Sequence, residues 1–231
     1  MPAVLLHLAR IPVRLLRAIK APQIRRAAKN LDVEIKIALR HQSGCRKFAR
    51  AGPSGPLRIQ FGSGPNSKPG WVNVDLSESA DFRIDIRRDW PFPDASAELI
   101  YSEHFFEHLE YPNEVQHFLR EALRVLAPGG LLSTGVPPTQ ELLEAYVRDD
   151  TELFRTVRER WHPDWCETPL DSINYHFRQG TEHKYAYDFR TMKNVLAKGG
   201  FESVEERSYD PELDSESRRG STLYVDARKP T

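Results

Sequence analysis

Residues 101–110 read YSEHFFEHLE and place His104, Glu107 and His108 within five positions. Imidazole and carboxylate are the side chains that move protons near neutral pH and that hold divalent metals. On a helix, residues four apart share a face, so His104 and His108 would lie close enough to grip one ion, with Glu107 beside them. Three readings follow: hydrolysis at zinc through His104, Glu107 and His108; proton removal from an acceptor by a histidine; or packing of Phe105, Phe106 and Leu109 with the histidines filling space. A zinc site needs a third protein ligand with its own supporting contacts. None is recognisable downstream, so no metal is expected.

The surrounding elements decide where this string sits. LRIQF (57–61), WVNVD (71–75), FRIDI (82–86) and AELIYS (97–102) read as short strands. PNEVQHFLREALRVLAPGG (112–130) is the clearest helix, with Val115, Phe118, Leu119, Ala122, Leu123 and Leu126 on one face and Pro128-Gly129-Gly130 as its stop. LLSTGV (131–136) is a further strand, cut off by Pro137-Pro138, and residues 139–160 read as charged helix. Residues 161–188 are aromatic, histidine-bearing and irregular. FRTMKNVLAKGG is another helix, and FESVEERS and STLYVDARK close the chain as strands. Strands alternating with helices imply a mostly parallel sheet covered on both faces. HFFEH then follows the fourth strand, at the carboxyl edge where such a sheet places its ligands.

Composition bounds the class. With 231 residues, 39 % hydrophobic and 29 % charged, the chain is expected to be one soluble domain with an appendage. Cys45 and Cys166 stand far apart, which argues against a disulfide framework and fits a reducing cytoplasm. Residues 1–50 hold 12 Lys/Arg against Asp32 and Glu34, whereas the rest holds 21 against 31 acids. An acidic main domain argues against nucleic acid as a partner. The first 30 residues contain no acid, and Leu5, Leu8, Leu15, Leu16 and Ile19 interleave with Arg10, Arg14, Arg17 and Lys20. Such a segment suits an amphipathic helix on an anionic membrane surface, a helix packed on the protein's own body, or a cleaved targeting segment. Its apolar stretches are too short to span a bilayer. AGPSGP divides a basic extension (1–55) from the main domain (56–231).

QFGSGPN puts Gly62 and Gly64 just after the first strand. A dinucleotide fingerprint would need glycine where Ser67 stands, and an acid about 20 residues on. Asp75 comes only 13 after Gly62. A nucleoside without pyrophosphate needs less of that phosphate site, and an acid ending the second strand suits two ribose hydroxyls.

Over residues 57–136 the LRIQFGSGP loop, WVNVD, the IDI…WPFPDASAELIYSEHFFEHL run and LREALRVLAPGGLLSTGVP together resemble class I S-adenosylmethionine-dependent methyltransferases of the type 11 group. The resemblance implies an α/β, Rossmann-like, doubly wound sheet of seven strands in the order 3-2-1-4-5-7-6, the last antiparallel, here with a basic helical N-terminal arm. It implies S-adenosyl-L-methionine as cofactor, lined by Phe61, Gly62, Ser63 and Gly64. Asp75 with Leu76 would serve the ribose, Asp85 with Ile86 the adenine, and Ser102 the methionyl moiety. It also implies that the EHL of HFFEH is not a metal motif. Two departures stand out: Gln60 and Phe61 occupy the place of an acid common before the first glycine, and only residues 62–70 separate the first two strands.

The expected reaction is O-methylation of a small hydroxylated acceptor of saccharide type, the acceptor class coming from the weaker resemblance of GTEHKYAYDFRTMKNVLAKGGF to members near carbohydrate pathways. His104, His108 and His183 are the candidate bases, His104 foremost. Glu103, Trp161, Trp165, His176, Lys184 and Tyr185 are candidate acceptor contacts, with 161–188 as a lid. A protein that keeps the fold but binds partners without catalysis is the alternative.

Overall fold

The computed structural model describes residues 22–53 and 55–231. The first 21 residues, which carry most of the acid-free arm, lie outside the described residues. The described part opens with α1 (Pro22–Ala51), whose outer stretch exposes Ile24, Leu31, Val33, Ile35 and Leu39. Its last turns are seated on the main domain. Phe48 is buried edge-on against Phe82 and Phe92, and Gly44 lies so close to Arg83 that an added Cβ would come 2.4 Å from its carbonyl oxygen. No helix among the described residues is long and apolar enough to cross a membrane.

The sheet contains β1 (Leu57–Phe61), β2 (Val72–Val74), β3 (Ala97–Glu103), β4 (Leu126–Val136), β5 (Glu202–Arg207) and β6 (Leu223–Arg228) in the order β2-β1-β3-β4-β6-β5. The first four run parallel, and β6 is antiparallel to both β4 and β5. This is the expected winding with one strand fewer. FRIDI makes only the bridge between Val74 and Phe82 before it turns away. The turn has a local cause: the Asp85 carboxylate accepts the Arg87 backbone N–H at 3.1 Å, an Asx-type bond that competes with a ladder. Here α1 covers the segment instead, which also hides the backbone that an open edge would present.

Runs of alternating and apolar residues account for the core strands. Ile59, Phe61, Val74, Ile100, Leu132 and Val225 are buried, and α2 (Asn113–Val125) lays Val115, Phe118, Leu119, Ala122 and Val125 on them. This helix stops at Val125, earlier than its glycines suggest, because β4 already begins at Leu126. The β1–β2 connection is built of turns alone, as its length demands. The charged stretch after β4 is two helices, α3 (Thr139–Val147) and α4 (Thr151–Trp161). The segment expected to be irregular contains α5 (Pro169–Arg178), started by a Thr168/Asp171 capping box with Pro169 in its first turn. Leu142, Ala145, Phe154 and Ile173 give these three helices a small core of their own. The last helix, α6 (Phe189–Lys198), is capped by Asp188 and precedes β5.

Candidate active site

Two clusters form at the carboxyl edge of the parallel strands. The first is the glycine turn after β1. Gly62 and Gly64 have φ of +66° and +48°, a region that side chains strain to enter. A Cβ on Gly62 would also meet the Phe105 ring at 2.6 Å, so Phe105 and the turn require each other. Opposite lies Asp75. Its Oδ2 accepts the Gly64 N–H at 3.0 Å and its Oδ1 accepts the Ser77 N–H at 2.7 Å. A carboxylate offers about four acceptor positions. Two are used here, so one acceptor direction per oxygen remains, the arrangement that a pair of adjacent hydroxyls can fill. The space beside Gly64 is open, and the buried Ser63 Oγ and Gln60 Oε1 flanking the turn have no partner. An open turn, a half-used carboxylate and unpaired polar atoms fit a nucleoside cofactor on its ribose side.

Other expected cofactor contacts are arranged differently. Phe61 points into the core against Trp90, Phe92 and Phe118, so only its backbone can face a ligand. Leu76 and Ile86 offer carbonyls already taken by Arg40 and Trp90. Asp85 is 3 % exposed; it accepts from Arg87 Nε and Nη2 at 2.8 and 3.0 Å and pairs with Arg88 Nε at 3.4 Å. Burial raises its carboxyl, but the Arg87 bonds and both arginine charges outweigh that and hold it below the usual range. Its acceptor positions are spent within the protein, so the adenine contact expected of it is not open. Ser102 is fully buried, its hydroxyl 2.9 Å from that of Thr134 on the neighbouring strand rather than facing open space.

The second cluster is HFFEH, and it is not an α-helix. His104 sits at φ +49° and only Phe106–His108 form a 3-10 turn. His104, the foremost candidate base, is tied at both nitrogens: Arg218 Nη1 donates to Nδ1 at 2.6 Å, which leaves Nε2 to donate to Thr222 Oγ1 at 2.9 Å. Burial first, then the Arg218 charge, push its pKa down to about 3. A base so weak, with its lone pair occupied, cannot take a proton from an acceptor at pH 7. The same contacts remove His104 from the zinc triad that the string suggests. Arg218 and Thr222 lie more than a hundred positions away, and no local signal points to them.

Glu107 replaces His104 as the centre of the site. It is 2 % exposed, neither carboxylate oxygen has a hydrogen-bond partner among the described residues, and burial pushes its pKa up to about 8. Its Oε1 lies 3.9 Å from His108 Nε2 and 4.0 Å from His183 Nε2. His183 comes from the 179–188 loop, whose Lys184 and Tyr185 amides bond the Glu107 carbonyl and pin the two segments together. Beside Glu107 and His183 lies a cavity of about 10 Å³ that also touches His176, Tyr185 and Tyr187. A larger cavity of about 220 Å³ lies between α1 and residues 78–83 and meets neither cluster.

Of the remaining expected acceptor contacts, His176 and Tyr185 line the cavity beside Glu107 and His183, and the others lie elsewhere. His176 Nε2 is 2.9 Å from Thr139 Oγ1, and Tyr185 stacks on Tyr111. Glu103 faces away, accepting from Ser215 N–H and Tyr224 O–H. The Lys184 ammonium is turned back to the Thr181 carbonyl, and Trp161 at the end of α4 and Trp165 in the turn after it are exposed.

Residues 72–134, which hold Asp75, Asp85, Ser102 and the HFFEH string, match the family model described as "Methyltransferase domain". The match covers 63 of the chain's 231 residues. Among curated proteins the chain is similar to "Probable tocopherol O-methyltransferase, chloroplastic" of Oryza sativa subsp. japonica. The identity is 30 % over 105 residues, 42 % of this chain and 27 % of the relative. Among solved structures it is similar to an S-adenosylmethionine-dependent methyltransferase from Mesorhizobium loti (22 % identity, 78 % of this chain, 95 % of that one, TM-score 0.44). It is also similar to Haemonchus contortus phosphoethanolamine N-methyltransferase 2 bound to phosphomonomethylethanolamine and S-adenosylhomocysteine (12 % identity, 82 % of this chain, 53 % of that one, TM-score 0.47). The match to the rice protein thus spans about a quarter of that relative, and that to the Haemonchus enzyme about half. The methyltransferase-domain stretch ends just before α3, so the helices α3–α5 and the Tyr185 loop belong to the part of the chain that the family model leaves out.

Proposed function

We propose that the chain is an S-adenosylmethionine-dependent methyltransferase acting on the hydroxyl of a small acceptor of saccharide type. The observation that supports this reading is the Gly64–Asp75 contact inside a family-matched fold, with one free acceptor direction left on each carboxylate oxygen. Asp75 would take the two ribose hydroxyls, while Gly62 and Gly64 let the ligand approach without a Cβ in its path. S-adenosylmethionine, when bound, supplies a methyl carbon already activated by the neighbouring sulfonium. The protein's share is to align the acceptor oxygen with that carbon and to keep water out, and orientation carries most of the acceleration in such a displacement. Phe105, wedged on Gly62, closes the inner side, and Tyr111, exposed and stacked on Tyr185, offers one outer ring face to a sugar.

A second reading, a methyltransferase-fold protein that binds without turnover, is favoured by the commitment of Asp85 to Arg87 and Arg88. Calorimetric titration with S-adenosylmethionine and S-adenosylhomocysteine separates the two, followed by transfer of labelled methyl to a panel of sugars. Micromolar binding with labelled product is expected. Labelled product removes the second reading, whereas a folded protein that binds neither compound removes the first and supports the second. We further place the chain in a reducing cytoplasm, with residues 1–30 against an anionic membrane surface. Deleting them should abolish sedimentation with anionic vesicles, and unchanged sedimentation discards that contact.

A further inference from the structure

Glu107, His108 and His183 bring their side-chain ligand atoms within 4.8 Å of one another. Each imidazole is set up for coordination by its other nitrogen. His108 Nδ1 lies 3.2 Å from the Glu182 carbonyl and His183 Nδ1 lies 2.6 Å from the His176 carbonyl. A carbonyl can only accept, so both Nδ1 atoms carry the proton and both Nε2 atoms present lone pairs. That is the arrangement by which carbonyls fix metal-binding histidines, orienting the ring and setting its tautomer. The two lone pairs converge on Glu107 Oε1, the centre of a carboxylate that is 2 % exposed and has no partner on either oxygen.

We propose that Glu107, His108 and His183 form a binding site for one divalent cation of the zinc type. Two imidazoles and a carboxylate are a borderline-soft ligand set, and a three-residue set leaves a fourth position open. Zinc bonds these atoms at about 2.0–2.2 Å, which puts tetrahedral neighbours roughly 3.4 Å apart. The observed 3.9 and 4.0 Å separations are about half an ångström wider than that, and all three ligand atoms lie within 4.8 Å of one another. The cavity of about 10 Å³ beside Glu107 and His183 has room for one water-sized ligand at that position. The buried Tyr187 hydroxyl, also without a partner, lines the same cavity and can bond a water held there. Without an ion, a carboxyl group stands in the interior with nothing to bond, an arrangement that folded proteins avoid.

The site is not the one suggested by the spacing of HFFEH. His104 is excluded by Arg218 and Thr222, and the third ligand arrives from 75 positions downstream of His108. An ion here would bind the 3-10 turn to the 179–188 loop, adding to the two amide bonds already made to the Glu107 carbonyl.

The test uses the full chain without an affinity tag, stripped with chelator and titrated with zinc chloride by calorimetry. One equivalent should bind with submicromolar Kd, weakened at least about 100-fold in Glu107→Gln and in His183→Ala and unchanged in His117→Ala, a surface histidine. Cobalt(II) in place of zinc should give the visible bands of a four-coordinate nitrogen and oxygen site. Substoichiometric zinc, or an affinity shared by wild type and both variants, overturns the proposal. If either variant fails to fold, the wild-type cobalt spectrum decides, and octahedral or absent bands overturn it.

Discussion

Asp75→Asn tests the nucleoside site with almost no change of shape. In the native protein the carboxylate accepts one backbone N–H on each oxygen, from Gly64 and from Ser77, and keeps one acceptor direction on each for a ribose hydroxyl. The amide has a single oxygen. Its nitrogen must face either the Gly64 or the Ser77 N–H, two donors head to head, and can no longer accept from the second hydroxyl. Hydrogen bonds to a charged group contribute about 1.5–3 kcal/mol each. Losing one and weakening the other should cost about 3–4 kcal/mol of binding, a rise of about 200- to 800-fold in Kd. The lost backbone contact costs the fold only about 1–2 kcal/mol, which moves Tm by a few degrees. Calorimetry with S-adenosylhomocysteine reads the first quantity and a thermal melt the second. A variant that melts a few degrees below the wild type yet binds within fivefold of it would refute the argument, because Asp75 would then be holding the turn and nothing else.

Three further substitutions probe the frame around the site. Gly44→Ala sets helix propensity, which favours alanine by about 1 kcal/mol, against a Cβ placed 2.4 Å from the Arg83 carbonyl oxygen. Contact should win, costing about 2–3 kcal/mol as Phe48 loosens and hydrogen exchange quickens over residues 40–51; a raised Tm would sink this. Gly62→Ala should cost about 2–4 kcal/mol, from its +66° φ and its clash with Phe105, and less in a Phe105→Ala background; equal costs in both would show that the ring is not involved. His162 is held at a pKa of about 4, by burial first and the Arg158 charge second. The unfolded chain takes up that proton first, so its contribution to stability is whole above about pH 6.5 and is lost as pH falls toward 4. Between pH 7 and 5 the wild type should lose about 1 kcal/mol more than His162→Gln in urea titrations, the half-buried ring being partly screened, and parallel slopes would contradict it.

The parts of this fold that could be read from the sequence are those whose cause is local. LRIQF, AELIYS and the α2 face reveal themselves by period and by their glycine and proline ends, and their buried residues are where those patterns put them. The capping box that starts α5 was in view as Thr168-Pro169-Leu170-Asp171, although the aromatic composition around it suggested a lid. The third strand was lost to an equally local cause, the grip of Asp85 on the Arg87 amide, which an apolar alternation does not disclose. The histidines are another matter. Spacing said that His104 and His108 belong together, but a lone pair belongs to whatever occupies it. Arg218 holds one nitrogen of His104, whereas carbonyls from the 176–183 region free the Nε2 atoms of His108 and His183. Tautomer and partner are set by tertiary contacts, and residues 75 positions apart carry no joint signal in one sequence.

The loss of that strand has a consequence for the arm. A sheet that ends in one bridge at Phe82 leaves Arg83 and Asp85 uncovered unless something replaces the missing ladder, and α1 does so with Gly44, Phe48 and Glu34. Arg87 is the shared component. Its guanidinium donates to Asp85 at 2.8 and 3.0 Å and, at the same time, to Glu34 of α1 at 3.1 and 2.9 Å. The two pairs are not equivalent. Glu34 is half exposed, so its pair is screened and contributes little. Asp85 is 3 % exposed and would be left as a buried charge with Arg88 alone if Arg87 swung out. Arg87 therefore stays with Asp85 whether or not the arm is docked, and the buried part of the arm's hold on the domain comes from the Gly44 and Phe48 contacts, beside the bonds of Arg40 and Lys47 to the Leu76 and Asp81 carbonyls. That is why Gly44→Ala, and not Glu34→Ala, is the substitution expected to release α1 while leaving the Asp85 pair in place.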